Sequence, residues 1–335
     1  MRQIPVIALT GHLGAGKTTV LNRLLRAPQS RLGVVINDFG TINVDAGLVI
    51  GQVDEAEAIS GGCVCCLPDA GGLDGALEKL TQPRLRLDAV IVEASGVADP
   101  TALARLIRYS GIDRVRPGGL VDVIDAVEHF RTIDLGVLPP ARYAAASLIV
   151  INKTDRLPAA RRDAAIAKIT QRVHERNPHA HIISAARGRI DPALVFDAAR
   201  TPAPEAELPF ASLMHDNDES HTHADAVTVL ASGPVDPGRL VDLLEEPPDG
   251  VYRLKGAVTV GTGTHHYRYA VNVVGRHIHV GSHPANTGTD GLVAIGMHLR
   301  GHAVADRLES ALQPVAERLT GNGLRRLTRY RRLSV

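Results

Sequence analysis

The sequence predicts an α/β chain: a mainly parallel sheet flanked by helices, followed by a smaller α+β domain. Three observations carry this expectation. From residue 1 to 200, short β-rich runs alternate with helical stretches, the order that builds a parallel sheet with helical crossovers. Several of those runs are nearly continuous in apolar residues, as strands buried on both faces are. Beyond residue 200 the composition changes, and strand-like runs meet at glycine-containing turns, as in an antiparallel sheet.

The predicted strands of the first part are "PVIAL" (5–9), "LGVVIN" (32–37), "EAIS" (57–60), "LDAVIVEA" (87–94), "GLVDVID" (119–125), "SLIVIN" (147–152) and "AHIISA" (180–185). Helical periodicity marks residues 17–27 and 161–176. These elements define a domain over 1–200. Residues 201–224 are rich in Pro, acid and His with weak periodicity, and read as a linker. The second domain covers 225–335. It opens with "DAVTVLA" (225–231) and a helix near 236–245, continues through "VYRLKGAVTVG", "HYRYAVNVVG", "RHIHVG" and "GLVAIGMHL", and adds a helix over 303–319. The tail "RRLTRYRR" reads as a solvated end.

Composition narrows the function classes. The 335 residues are 44% hydrophobic and 22% charged, ordinary for a folded soluble chain. Aromatic residues make up 3% with no Trp, so the cores must be aliphatic. The net charge of +1 gives no electrostatic case for nucleic acid or a membrane surface as the main partner. No run of 18 apolar residues suggests a membrane span, and the apolar N-terminal run leads into a glycine motif rather than a cleavage site. A cytoplasmic chain, monomer or homodimer, is expected.

"GHLGAGKTT" (11–19) fits G-x-x-x-x-G-K-[ST], placed after a predicted strand and at the start of a predicted helix. Gly11, Gly14 and Gly16 allow close backbone approach, and the N–H groups of this loop, Ala15 and Thr19 included, form an anion cradle at a helix N-terminus. Lys17 is positioned for β- and γ-phosphates and the Thr18 hydroxyl for Mg²⁺.

"NKTD" (152–155) ends a strand downstream. The Asp155 carboxylate can accept two N–H bonds from guanine, a pair that adenine lacks. Asn152 can bond the O6/N7 edge and the Lys153 stem can cover the ring. "SAARG" (184–188), with Ser184 and Ala185, is placed to give a backbone N–H to O6. Together these favour GTP over ATP. Between the two motifs lies "VIVEASGVADP" (90–100), an acid-x-x-Gly switch pattern. Glu93 is placed to hold an Mg²⁺-bound water and the Gly96 N–H to meet the γ-phosphate. Lys17, Thr18 and Glu93 are thus the candidate catalytic residues.

All three cysteines, Cys63, Cys65 and Cys66, fall in "GGCVCC" (61–66). In a reducing compartment such a cluster points to metal or redox chemistry rather than a disulfide framework. Cys63 and Cys65 would share one side of an extended chain and Cys66 would face away, so a turn at Val64–Cys66 is needed to converge all three thiols. Three thiolates leave a tetrahedral Zn²⁺ site one ligand short, which suits a metal that is passed on. Thiolate selects Zn²⁺, Cu⁺ or Co²⁺ over Mg²⁺. "HDNDESHTH" (215–223) reads either as a low-affinity metal collector or as a solvated linker, and His129 as structural or surface.

The P-loop, "GGCVCC", "VEASGVADP", "NKTD" and the downstream "YRLKGAVTVG" together resemble the CobW-type metallochaperone GTPases, relatives of the nickel GTPases that serve hydrogenase and urease. The resemblance covers nearly the whole chain. It implies slow GTP hydrolysis coupled to delivery of a transition metal, zinc first, to a client metalloprotein, with the C-x-C-C thiols binding metal close to the switches. "VVINDFG" (34–40) is similar to a family segment ending N-E-F-G, which puts Asp38 where a Glu joins the metal chemistry. The chain departs from the family in that shorter acid, in the absence of an acid near position 41, and in "LPDAGG" after Cys66. A zinc-responsive regulatory GTPase that recruits a partner without metal transfer is the main rival; a small-molecule P-loop kinase and a metal buffer are the others.

Overall fold

The computed structural model describes residues 3–27, 30–37, 53–59, 71–95, 99–196, 224–261, 266–283, 289–314 and 321–334. The chain divides into two compact units, residues 1–178 with 182–223, and residues 179–181 with 224–335. The expected linker over 201–224 lies, but for Ala224, outside the described residues.

The first unit is built on seven strands: β1 (Ile4–Gly11), β2 (Leu32–Asn37), β3 (Val53–Ile59), β4 (Ala89–Glu93), β5 (Val115–Asp125), β6 (Leu148–Asn152) and β7 (His181–Ser184). Their order in the sheet is β3-β2-β4-β1-β5-β6-β7. The pairings of β1 with β4 and β5, of β2 with β3 and β4, and of β5 with β6 are all parallel. Val6–Leu9, Val90–Val92 and Leu148–Ile151 are buried, which explains why these strands read as unbroken apolar runs. The helices are α1 (Lys17–Leu24), α2 (Gly71–Leu80), α3 (Pro100–Arg108), the single turn α4 (His129–Thr132) and α5 (Ala159–Arg176). Helix α3 starts with Asp99 accepting from the Thr101 N–H and Pro100 in its first turn, a side-chain cap followed by a pre-set φ. The mainly parallel, helix-flanked fold is the one expected.

Two strand boundaries differ from expectation for a pairing reason. β5 begins at Val115 rather than 119, because it pairs with β1 from Ile4 onward; the register shifts opposite Ile7, where Gly118 and Gly119 make the irregularity. β3 begins at Val53 rather than 57. Its polar "VDEAEAI" carries little apolar signal, yet the backbone pairs along the whole of β2.

The second unit holds a five-stranded sheet in the order β11-β10-β9-β12-β8, made of β8 (Asp225–Leu230), β9 (Val251–Gly261), β10 (His266–Val274), β11 (His277–Ser282) and β12 (Gly291–Gly296). Every pairing in it is antiparallel. Helices α6 (Pro237–Glu245), α7 (Gly301–Leu312) and α8 (Gly321–Leu333) accompany it. Their apolar residues join Leu254, Val258, Val271 and Leu292 in one aliphatic core. α7 ends at Leu312, short of the expected 319, with Pro314 just beyond. The arginine-rich tail is not a solvated end. It forms α8, which inserts Leu327 fully into the core and packs on α6 and β11. Arg326 bonds Asp242 and Glu245, and Tyr330 donates to Glu245.

Candidate nucleotide site

In a parallel sheet the strands deliver their C-terminal ends to one edge, where ligands of open α/β folds bind. Here that edge carries Gly11, Glu93, Asp125 and Asn152 at the ends of β1, β4, β5 and β6. Gly11 closes β1, and Gly14, Ala15 and Gly16 lead into α1, whose first residues are Lys17, Thr18 and Thr19. Gly16 is the N-cap, at φ 99°. A Cβ there would collide with the Asn152 Nδ2, so glycine is required by both conformation and space.

Lys17 is mostly buried and donates to the Gly11 and His12 carbonyls at 3.1 and 3.4 Å. The Thr18 hydroxyl donates to Glu93 Oε1 at 2.9 Å, and Glu93 is 2% exposed. The two residues expected to share one ion are therefore brought together across 75 positions of sequence. A hydroxyl and a buried carboxylate at the mouth of a phosphate cradle are hard oxygen donors, a set that suits Mg²⁺.

The second loop is locked to the first. Asn152 donates from Nδ2 to the Ala15 carbonyl at 3.0 Å and accepts from the Gly188 N–H at 2.9 Å. Both ends of the carboxamide are thus engaged inside the protein. Gly188, at φ 71°, lies so close to Thr19 and Val20 that a side chain would strike their backbone. Ala185 donates its N–H to Ile151 and accepts from the Thr154 N–H and hydroxyl, so it fastens the loop rather than offering a free donor. Ser184, one residue earlier, is exposed at the end of β7.

Lys153 adopts a left-handed conformation, φ 61°, which costs a non-glycine residue energy and is held by its surroundings. The restraint is an ion pair of its Nζ with Asp125 Oδ2 at 2.6 Å. Burial raises the Asp125 pKa, but the Lys153 hydrogen bond, the Val127 N–H, the Lys153 charge and the Glu128 N–H together take it below the usual carboxylate range. Asp155 accepts from the Arg187 N–H at 3.2 Å, with the Arg187 Nε 3.7 Å from its other oxygen.

A cavity of about 330 Å³ opens beside the loop, lined by His12, Leu13, Gly14, Asp125, His129, Arg142, Tyr143 and Lys153 among others. In its wall, Asp122 is fully buried and takes two bonds from Arg142, at 2.7 and 3.1 Å, and one from the Thr10 hydroxyl at 2.7 Å. His129 is also buried, bonded to the Tyr143 hydroxyl at 2.7 Å, with Asp134 at 3.8 Å. Burial pulls its pKa down to about 4.

Asp122, Asp125, Arg142 and Tyr143 were not singled out in the sequence. One signal was available: Asp125 ends its strand on the same edge as Glu93. Asp38, Cys63, Cys65, Cys66 and Gly96 lie outside the described residues. Among the described residues no group of three or more His, Cys, Asp or Glu could hold a metal ion, and no helix is long and apolar enough to cross a membrane.

A strand, a glycine loop and a helix on a parallel sheet, clasped to an Asn-Lys-x-Asp turn, define a P-loop nucleotide-binding protein. Residues 5–184 match the family described as CobW/HypB/UreG, nucleotide-binding domain, and residues 224–312 match the Cobalamin synthesis protein cobW C-terminal domain. The chain belongs to the CobW/HypB/UreG family, as its motifs suggested. It is similar to the zinc chaperone YjiA of Escherichia coli K12, 26% identical over 276 residues that span 78% of this chain and 83% of the relative. It is similar also to the zinc chaperone CobW of Sinorhizobium sp, 29% identical over 296 residues that span 77% and 82%. The crystal structure of Zn(II)-bound YjiA GTPase from E. coli aligns over 93% of this chain and 99% of that one, with 20% identity and a TM-score of 0.44.

Proposed function

We propose that this chain is a GTP-hydrolysing metallochaperone that binds zinc through Cys63, Cys65 and Cys66 and passes it to a client protein according to its nucleotide state. The observation that carries the nucleotide part of the reading is the clasp between the phosphate loop and the Asn152–Asp155 turn, with Thr18 against Glu93; the zinc part rests on the sequence motif. The names of its relatives, zinc chaperones and a zinc-regulated GTPase metalloprotein activator, support the choice of metal.

Lys17 leaves the Gly11 and His12 carbonyls for the β- and γ-phosphates, which the loop N–H groups also hold. The Asp155 carboxylate accepts the guanine N1–H and N2–H, pre-aimed by the Arg187 N–H. The Lys153 stem, fixed by Asp125, covers one face of the base. Thr18 and Glu93 would hold Mg²⁺, which when bound neutralises charge on the β- and γ-oxygens. Water then attacks the γ-phosphorus and the bond to the β-bridging oxygen breaks, giving GDP and phosphate. Gly96 and Asp38 follow the γ-phosphate in this scheme, and the thiols between them change their hold on zinc. Cobalt or another thiolate-binding transition metal is the alternative cargo.

Turnover of GTP and ATP, each with Mg²⁺ and with or without Zn²⁺, tests the reading. GTP turnover abolished by Lys17→Ala is the expected result. Turnover of ATP alone, or phosphoryl transfer to a small acceptor, would overturn it.

A further inference from the structure

Four non-glycine residues among the described ones have positive φ: Arg86, Lys153, Arg187 and His298. Two of them, Lys153 at 61° and Arg187 at 52°, stand on the loops that follow β6 and β7, which meet at Asp155. A left-handed conformation costs energy that glycine would avoid, and residues held in it cluster at functional sites. Lys153 is accounted for by its ion pair with Asp125. Arg187 has no such explanation in packing.

The Arg187 side chain is 71% exposed. Its backbone N–H donates to Asp155 Oδ1 at 3.2 Å, and its Nε lies 3.7 Å from Asp155 Oδ2. The guanidinium has no other polar partner among the described residues. An ion pair so open to water contributes little to stability, so it does not account for the strained backbone. The loop around it is fixed. Ala185 is bonded to Ile151 and Thr154, and Gly188 packs on Thr19 and Val20 and donates to Asn152. The main chain therefore holds an arginine at the edge of the carboxylate that reads the base in the proposed mechanism.

We propose that Arg187 is the second jaw of the base slot, its guanidinium stacking on the face of the guanine that the Lys153 stem leaves open. This role presupposes the guanine reading of Asp155 and adds a residue outside the Asn152–Asp155 turn. A guanidinium is planar and stacks on aromatic faces, with a cation–π attraction added. As the base enters, its N1–H and N2–H take the Asp155 carboxylate. The Arg187 N–H stays on Oδ1, which has a second lone pair. The backbone is thus pinned while the guanidinium turns from Oδ2 onto the ring. The contact is with the base alone, so it serves GTP and GDP alike. The competing role for the same side chain is a gate that blocks Asp155 until it is displaced, and a gate has the opposite signature: its removal tightens binding.

GTP and GDP affinities are measured by competition with a fluorescent guanine nucleotide, on the full chain and on Arg187→Ala and Arg187→Gly. Glycine adopts a φ of 52° freely, so a loss shared by both variants does not come from backbone strain. Both nucleotides should weaken about tenfold in both variants. The chain has no Trp, so Arg187→Trp places a single indole at the slot. Its fluorescence should be quenched by saturating GDP and not by pyrophosphate, which carries phosphates without a base. Unchanged or tighter GDP binding by Arg187→Gly, or an indole that GDP leaves unquenched, overturns the proposal and leaves the guanine reading of the site intact. A wild-type chain that binds neither GTP nor GDP overturns that reading, and the role of Arg187 with it.

Discussion

Asn152 Nδ2 donates to the Ala15 carbonyl at 3.0 Å, so a residue expected to read the base is built into the wall of the phosphate loop. Its Oδ1 takes the Gly188 N–H, and three loops meet on one buried carboxamide. Asn152→Ala leaves a carbonyl and an N–H without partners, at a cost of about 3 kcal/mol. Urea unfolding should show that loss, and calorimetry should show GTP and GDP weakened together. Unchanged stability would contradict the clasp.

In the proposed mechanism Asp155 is the group left to discriminate the base. Asp155→Asn replaces one of two acceptors with a donor, which no longer matches the guanine N1–H and N2–H. GTP affinity should fall by about a hundredfold or more, and xanthosine triphosphate, which carries an oxygen at C2, should bind better than to wild type. Competition with a fluorescent nucleotide reads both.

Arg142 and Asp122 form a buried pair in which only the arginine has any exposure. Arg142→Met strands the Asp122 carboxylate with the Thr10 hydroxyl, costing about 3–5 kcal/mol. Adding Asp122→Asn should recover part of that loss. A double-mutant cycle on thermal or urea unfolding measures the coupling; additive single effects would show that the pair does not interact.

His129 sets a pH dependence. Its pKa in the folded chain, about 4, lies below the ordinary 6.5, so the unfolded state binds more protons between those values. Stability is therefore complete above about pH 6.5 and is lost as pH falls toward 4, by at most about 3 kcal/mol. The pKa of Asp134, lowered chiefly by its hydrogen bonds from Arg172, adds a further loss at more acid pH. Urea midpoints at pH 7.5, 6 and 4.5 should fall in that order, and His129→Gln should flatten the slope between 6 and 4.5.

Much of the first unit was legible because phosphate binding fixes backbone, and fixed backbone fixes spacing. "GHLGAGKTT" and "NKTD" announce both loops, and continuous apolar runs announce β1, β4 and β6. The clasp was not legible: Asn152 meets Ala15 across 137 positions, and no local pattern says that a side chain will turn inward rather than toward the ligand. Arg142 and Asp122 likewise find each other only once β5 and the turn before β6 are packed. The tail misled for another reason. Its arginines dominate the composition, while Leu324, Leu327 and Tyr330, spaced every three residues, carry the helical face. "DLGVLPP" has no strand or helix pattern, and its bonds to Arg172 come from 35 to 38 positions later in the sequence.

If the chain is the proposed metallochaperone, nucleotide state governs its hold on zinc. Zn²⁺ affinity is measured by chelator competition without nucleotide, with GDP, and with a non-hydrolysable GTP analogue plus Mg²⁺. A shift of tenfold or more, about 1.4 kcal/mol of coupling, is expected, and it should disappear in Cys65→Ala/Cys66→Ala. Equal affinity in all three states would contradict it.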